Sequence, residues 1–423
     1  MLHIVWKYRL LNQLNCYSID GEKVEVVFPG VHNELDAGPD FLTAKIRIGE
    51  VLWIGNVEVH LKTSDWYEHL HHFDPAYQNV VLHVVYEDDC RNIEGARRFP
   101  IIELKKCVNP EVWNRIEQIE QSNLNIPCSS FVSSVSSLDW FAWQDRLVAE
   151  RFERKVKEVQ VIYNLAAKNW ESVIFQLLAK SLGGTVNREP FLILSKQLNL
   201  SFLKKHRDDL FAVESILFGM SGFLKEDYND LYPVALKRNY LFYKAKFSFF
   251  EMEAFWWKWL RLRPSSFPTI QLALLSSLLH NLPDLETLFQ VDTFKEFKKI
   301  IHENSCLTFY WKNHYKFDEP SKEKTKNWGD DLLRRIFINA VIPYQIAKDE
   351  LIGGEGALKY LQKMNELKGE DNKIIRKWQS LEVPISTCYD SQAMIQLNKE
   401  YCSRKKCLNC NIGLRILKHS IHD

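Results

Sequence analysis

The chain predicts an α+β protein: an N-terminal mixed β-sheet with flanking helices, a larger all-α domain, and a C-terminal cysteine-rich metal knot. Three observations carry this. Short runs of alternating apolar and polar residues reach to about Leu104. From about Glu111 the apolar and aromatic residues recur at helical spacing. Near the end of the chain, Cys402, Cys407 and Cys410 crowd into nine residues. The expected boundaries are residues 1–110 for the sheet domain, 111–137 for a linker, 138–380 for the helical domain and 381–423 for the cysteine segment.

Taken in order, Trp6, Leu10 and Leu14 at four-residue spacing predict a short helix over residues 3–15. Val24, Val26 and Phe28 mark a first strand, ended by Pro29-Gly30. A polar loop follows, and its Gly38-Pro39 sets the backbone just before the next strand. There Leu42, Ala44, Ile46 and Ile48 alternate with Thr43, Lys45 and Arg47. After a Gly49-Glu50 turn the chain returns with Val57, Val59 and Leu61 on one face and Glu58, His60 and Lys62 on the other. Ser64 or Asp65 is placed to cap a short helix. Asn79 to Tyr86 is nearly all apolar, as a strand covered on both faces would be, and Phe99 to Leu104 predicts a further strand. Beyond a Ser-rich stretch at Ser129 to Ser137, helices are predicted over residues 170–182, 190–198, 210–217, 232–259, 269–279, 293–305, 328–347, 356–363 and 392–400.

At 423 residues the chain exceeds one ordinary core, and 46% apolar with 26% charged residues is a globular composition. A net charge of +1 excludes a global field drawing the molecule to nucleic acid, so any basic surface must be local. No apolar run reaches the roughly 18 residues of a membrane span, and the first residues lack a small-residue cleavage site. Nine cysteines, an odd number, suit reduced thiols; the expected location is the cytoplasm. Phosphate-binding glycine loops, a nucleophile elbow and a helical His-Glu-x-x-His are all missing, which argues against kinase, ATPase, dehydrogenase and serine-hydrolase chemistry.

The polar row on the returning strand carries the most chemistry. Asp40 and Glu58 are expected to bind Mg²⁺ or Mn²⁺, with His60 or Lys62 orienting a water for attack on a phosphodiester. A half-exposed strand would present the same residues to solvent. His69, His71, His72 and His83 just downstream are either further ligands or solvated histidines. Cys388, Cys402, Cys407 and Cys410 form a second constellation, suited to Zn²⁺ or a [4Fe–4S] cluster, with His419 or His422 able to replace Cys388; buried cysteines clustered by chance are the alternative. Arg404, Lys405 and Lys406 make a local basic patch, and Arg261 and Arg263 stand beside Trp256, Trp257 and Trp259. Both groups suit DNA or RNA, and both are also what a solvated tail and a helix core with extended Arg stems provide.

Several runs resemble an uncharacterised bacterial family of about this length: Ala37-Gly-Pro-Asp-Phe41, Trp53 to His60, Ser64-Asp-Trp66, Tyr77 to Val85, Ile216 to Gly219, Leu260 to Pro264 and Tyr401 to Gly413. That likeness brings no activity with it. A second resemblance covers only the first 105 or so residues. Pro39-Asp40 followed by Glu58-x-His60, in that helix–strand order, is similar to the PD-(D/E)XK nuclease superfamily. It implies a restriction-endonuclease-like mixed sheet, metal ligation by Asp40 and Glu58, and a water-positioning lysine. His60 stands where that lysine is expected. The expectation is a divalent-metal-dependent nuclease or nuclease-derived DNA-processing protein; the alternatives are a non-catalytic nucleic-acid-binding or scaffold protein with a nuclease-like fold, and a metal-dependent hydrolase of a smaller substrate.

Overall fold

Strand alternation places its apolar face against helices, and the first hundred residues fold around that constraint. The computed structural model describes every residue except 13, 34–36, 91–98, 355 and 423, and only the backbone of 419–422. Helix α1 spans Leu2–Lys7. It stops there, short of the expected residue 15, because Arg9 adopts a left-handed φ of 51°. The Leu10 N–H then bonds the Val5 carbonyl at 2.9 Å and the Arg9 N–H bonds the Trp6 carbonyl at 3.0 Å, closing the last turn. Leu10 is still buried, while Leu14 lies outside on the surface.

Six strands follow: β1 (Val24–Phe28), β2 (Val31–His32), β3 (Phe41–Ile48), β4 (Val51–Lys62), β5 (Val80–Glu87) and β6 (Ile101–Glu103), with the one-turn helix α2 (Asp65–Glu68) between β4 and β5. The sheet order is β1-β3-β4-β5-β6, and β2 pairs with β3. β1, β3 and β4 are antiparallel neighbours, while β4, β5 and β6 run parallel. The sheet is therefore mixed. Val80 to Val85 are all buried, as a strand covered on both faces requires. On β4 the burial runs from Val57 to His60 and ends at Leu61 and Lys62. Gly55 lets β5 approach, since a Cβ there would stand 2.3 Å from a Val81 methyl and 2.7 Å from the Asn79 carbonyl oxygen.

The chain divides into two units, residues 1–148 with 371–385 and 390–423, and residues 149–370 with 386–389. This division differs from the expected boundaries at 110, 137 and 380. The stretch taken for a linker carries its own buried stripe: α3 (Leu104–Cys107) leads into α4 (Pro110–Gln121), where Val112, Ile116 and Ile119 recur on one face and are buried. Arg115 on α4 donates to the Ile416 carbonyl at 3.0 Å, so the end of the chain packs back on it. The Ser-rich stretch forms a 3-10 turn, Ser129–Ser134, before the long helix α5 (Ser137–Leu165).

The second unit is mostly helical. Trp170–Leu182 and Leu210–Met220 bury most of their residues, and Pro268–Asn281 all but its last two. The helix expected over 232–259 ends at Lys246, and Phe247 turns to an extended backbone. A small hairpin, β7 (His314–Lys316) with β8 (Glu319–Pro320), makes this unit other than purely α-helical. At its centre the fully buried Glu214 accepts hydrogen bonds from the Tyr232 hydroxyl, the Thr308 hydroxyl (3.3 Å) and the Trp311 indole (3.3 Å). Burial dominates over these donors and pushes its carboxyl up to about 7. Because the folded value lies above the unfolded one, protonated Glu214 favours folding, and that contribution is lost as pH rises from about 4.5 through about 7. Urea titrations at pH 5 and pH 8 should therefore show wild type losing up to about 3 kcal/mol more stability than Glu214→Gln over that interval. Equal losses in the two proteins would contradict this account.

Candidate metal centre

The ends of β3 and β4 are joined by reciprocal bonds. The Asp40 N–H donates to Glu58 Oε2 at 3.1 Å, and the Val59 N–H donates to Asp40 Oδ2 at 3.0 Å. His3 Nε2 on α1 lies 3.1 Å from the same Asp40 oxygen. Two irregularities aim this corner. β3 shifts register against β4 between Phe41 and Ala44, where Thr43 has φ of 53° and its N–H is held by the Asn56 side chain. β4 shifts against β5 between Asn56 and Val57, the residues just before Glu58. Such bulges turn side chains away from simple alternation.

Beyond β4 the chain is pinned and reversed. Thr63 donates to Asp88 at 2.7 Å, Ser64 binds Asp89 through both its N–H and its hydroxyl, and the Lys62 N–H bonds Asp65. α2 ends with Leu70 at φ of 61° and the His71 N–H on the Trp66 carbonyl. This reversal returns His69 and His71 over β4. Buried Trp66 backs the site, ringed by His71, Tyr77, His83 and Phe99.

The resulting geometry is a set of ligand atoms with no ordinary bond pattern among them. His60 Nε2 lies 3.4 Å from Glu58 Oε1 and 3.2 Å from His69 Nδ1. His71 Nε2 lies 3.5 Å from the same Glu58 oxygen. One atom each from His60, His69 and His71 falls within 4.8 Å of the others. Four donors around one ion at about 2.1 Å in a tetrahedron stand roughly 3.4 Å apart; the Glu58–His60, His60–His69 and Glu58–His71 separations match that, and the set within 4.8 Å consists of the three histidines. On its other side His60 Nδ1 is 2.9 Å from Nε2 of the buried His83. A ligand at His60 Nε2 requires the proton on Nδ1, which then donates to His83 and fixes the ring. Glu58 and His60 form a buried floor, while His69 is exposed, so the cluster opens to solvent on one side.

Burial sets the charge states of this cluster. Burial, then the neighbouring Asp40 charge, pushes Glu58 up to about 8. Burial, then the His71 and His69 rings, lowers His60 to about 4, and burial takes His83 to about 3. His71 is lowered for the same reasons, burial first. Neutral imidazoles are the form that binds metal.

The other expected site residues fall as follows. Asp40 and Glu58 come together; Asp40 Oδ2 accepts the Val59 N–H and lies 3.1 Å from His3 Nε2. Lys62 is exposed at the end of β4. Among the described residues no ion pair joins Asp40 or Glu58 to a lysine or arginine. Arg261, at φ of 63°, and Arg263 are exposed in the second unit, where Trp257 is buried against Phe191 and Phe223. Arg404, paired with Glu400 at 3.0 Å, Lys405 and Lys406 are exposed in the first unit. Cys388 belongs to the second unit and its N–H bonds the Leu367 carbonyl, whereas Cys402, Cys407 and Cys410 belong to the first. The side chains of His419 and His422 lie outside the described residues. Linear reading named His69 and His71 only as alternatives to solvated histidines; their i, i+2 spacing is neither a helical nor a zinc-finger pattern, and only the reversal at Leu70 unites them.

A family profile described as protein of unknown function (DUF2851) matches residues 1–373, and the chain belongs to that family. No curated protein and no solved structure matches it.

The centre predicts an ordered response to substitution. Titrating Mn²⁺ or Zn²⁺ into the full chain, Glu58→Gln and His71→Ala should each weaken binding by more than ~100-fold, His83→Gln by about 10–100-fold, and Lys62→Ala should leave it unchanged. Wild-type affinity in His71→Ala would remove the histidines from the site.

Proposed function

We propose that this member of the DUF2851 family is a metal-dependent hydrolase that cleaves phosphodiester bonds in nucleic acid. The observation that carries the reading is the convergence of His60, His69 and His71 within 4.8 Å, with Glu58 Oε1 3.4 Å from His60 and 3.5 Å from His71, open on one side, at the strand corner where the resemblance implies a nuclease centre. The order of a helix, four strands (the second only two residues long), a helix and β5, with an antiparallel start and a parallel β5, supports it. That is the arrangement the PD-(D/E)XK resemblance implies.

The donor set refines the expected cofactor. Mg²⁺ favours all-oxygen octahedral sites, whereas imidazole suits Mn²⁺-to-Zn²⁺ transition ions. Three imidazoles and one carboxylate therefore favour Mn²⁺ or Zn²⁺ over Mg²⁺. Such an ion supplies Lewis acidity toward a phosphoryl oxygen and a more acidic water. The residues do the rest. Glu58 and the three histidines hold position, His83 orients His60, and Asp40 keeps β3 and β4 in register at the floor. His60 thus takes a ligand's role where a lysine is expected, and Lys62 at the rim is free to meet a phosphate. Arg261, Arg263, Arg404, Lys405 and Lys406 are exposed cations suited to DNA or RNA backbones.

One observation favours a second reading, a non-catalytic binding protein: no ammonium group among the described residues pairs with the carboxylates. The two separate in one experiment. Incubation with single-stranded, double-stranded and branched DNA and with RNA, plus Mn²⁺, should yield cleavage that Glu58→Gln reduces at least ~100-fold. Binding without cleavage of any of these would select the second reading, and cleavage equal in Glu58→Gln would expose a contaminant.

A further inference from the structure

We propose that Cys128, Cys402, Cys407 and Cys410 hold a [4Fe–4S] cluster that clasps the C-terminal segment onto the first unit. Cys128 was no part of the expected constellation, since it lies far upstream at the start of the Ser129–Ser134 turn. Folding brings it among the other three: the turn it opens packs on the helix after Cys410, that helix packs on the Cys407–Asn409 turn, and the Cys410 and Cys407 sulfurs act with burial to raise the Cys128 thiol, as Cys410, Cys128 and Cys407 do for Cys402. All four are between 5% and 7% exposed, and all are free thiols. Cys388, the fourth ligand expected from spacing, belongs to the second unit with its backbone tied to Leu367.

The local backbone is shaped around these sulfurs. A π-helical stretch, Leu397–Cys402, ends with Lys405 at φ of 51°, the Lys406 N–H on the Tyr401 carbonyl and the Lys405 N–H on the Cys402 carbonyl. A single 3-10 turn, Cys407–Asn409, follows, and then the twelve-residue helix Asn411–His422. Gly413 is required on that helix, because a Cβ would stand 2.1 Å from the Cys407 carbonyl oxygen. The N–H groups of Ile412 and Gly413, in its first turn, point at the Cys410 sulfur. So does the indole of buried Trp143, whose Nε1 has no hydrogen-bond partner of ordinary geometry. Burial raises all four thiols, and the N–H donors oppose it at Cys410; an ion among the sulfurs would hold them as thiolates.

Spacing selects the cation. Sulfurs bound to a single zinc at about 2.3 Å stand roughly 3.8 Å apart. Among the described residues no three of these sulfurs lie within 4.8 Å of one another. A cubane, with irons standing between its thiolates, holds them farther apart than a single ion does. The cluster's role is structural. It would join the turn after α4 to the two C-terminal helical segments, adding to the packing of buried Ile412, Ile416 and Leu417, the Arg115 bond to Ile416 and the Arg415 pair with Asp139 (2.8 Å).

The test is to purify the full chain without oxygen and measure iron, acid-labile sulfide, zinc and visible absorption. About four irons and four sulfides per chain, with a band at about 400 nm, are expected. Cys128→Ser should lose most of that iron and colour, and Cys388→Ser should keep both. Zinc in place of iron, absence of any metal, or colour retained in Cys128→Ser would each overturn the proposal. If Cys128→Ser fails to fold, Cys388→Ser still decides, because loss of iron there would return the fourth ligand to the expected residue.

Discussion

Two backbone-to-carboxylate hydrogen bonds hold the working corner of this protein together. Asp40 gives its N–H to Glu58, and Val59 gives its N–H to Asp40, so each carboxylate fixes the strand that carries the other. Burial drives the Glu58 carboxyl toward its neutral form, so the larger effect of these bonds is geometric. The bonds sit where β3 loses its regular pairing with β4 and where β4 slips against β5. Without them the two bulges would leave the strand ends loosely paired, and Glu58 would have no defined direction.

From that corner the rest of the centre follows by exclusion of water. Glu58 and His60 are buried, so neither can take its ordinary charge cheaply. Burial drives the carboxyl toward its neutral form and the imidazoles toward theirs, leaving a floor rich in lone pairs and poor in cations. A divalent ion bound there would invert the balance for Glu58 while using the histidines as they stand. Tyr77, stacked on His71 at 3.9 Å, and Trp66 supply the apolar wall that keeps this contrast sharp.

How much of this was legible in the linear chain depends on distance. The alternation in β3 and β4, the covered β5 and the helix Trp170–Leu182 follow from periodicity, which is a local property. Periodicity failed where the backbone left the regular regions. Arg9 in the left-handed region ends α1 early, and Phe247 ends a helix whose apolar pattern continues. The supposed linker misled because serines at 129–137 suggest a loop, whereas α4 before them already packs its apolar face. Asp40, Glu58 and His60 could be named because β-strand geometry puts a returning hairpin's residues side by side. His71 could not be separated from solvated neighbours, since its place depends on a reversal at Leu70 that no residue type demands.

By itself the sequence determined the mixed sheet, the mostly helical remainder, the polar row on β4 and the crowding of three cysteines, because each of these rests on residue type and short spacing. Only the tertiary structure decided which histidines meet Glu58, that the Asp40 carboxylate takes the Val59 N–H, that Lys62 is exposed, and that Cys128 lies near the C-terminal thiols. The physical reason is that a binding site is a coincidence of side chains from separate segments. Their meeting is set by bulges, caps and burial summed over the whole chain, and no local pattern encodes that sum.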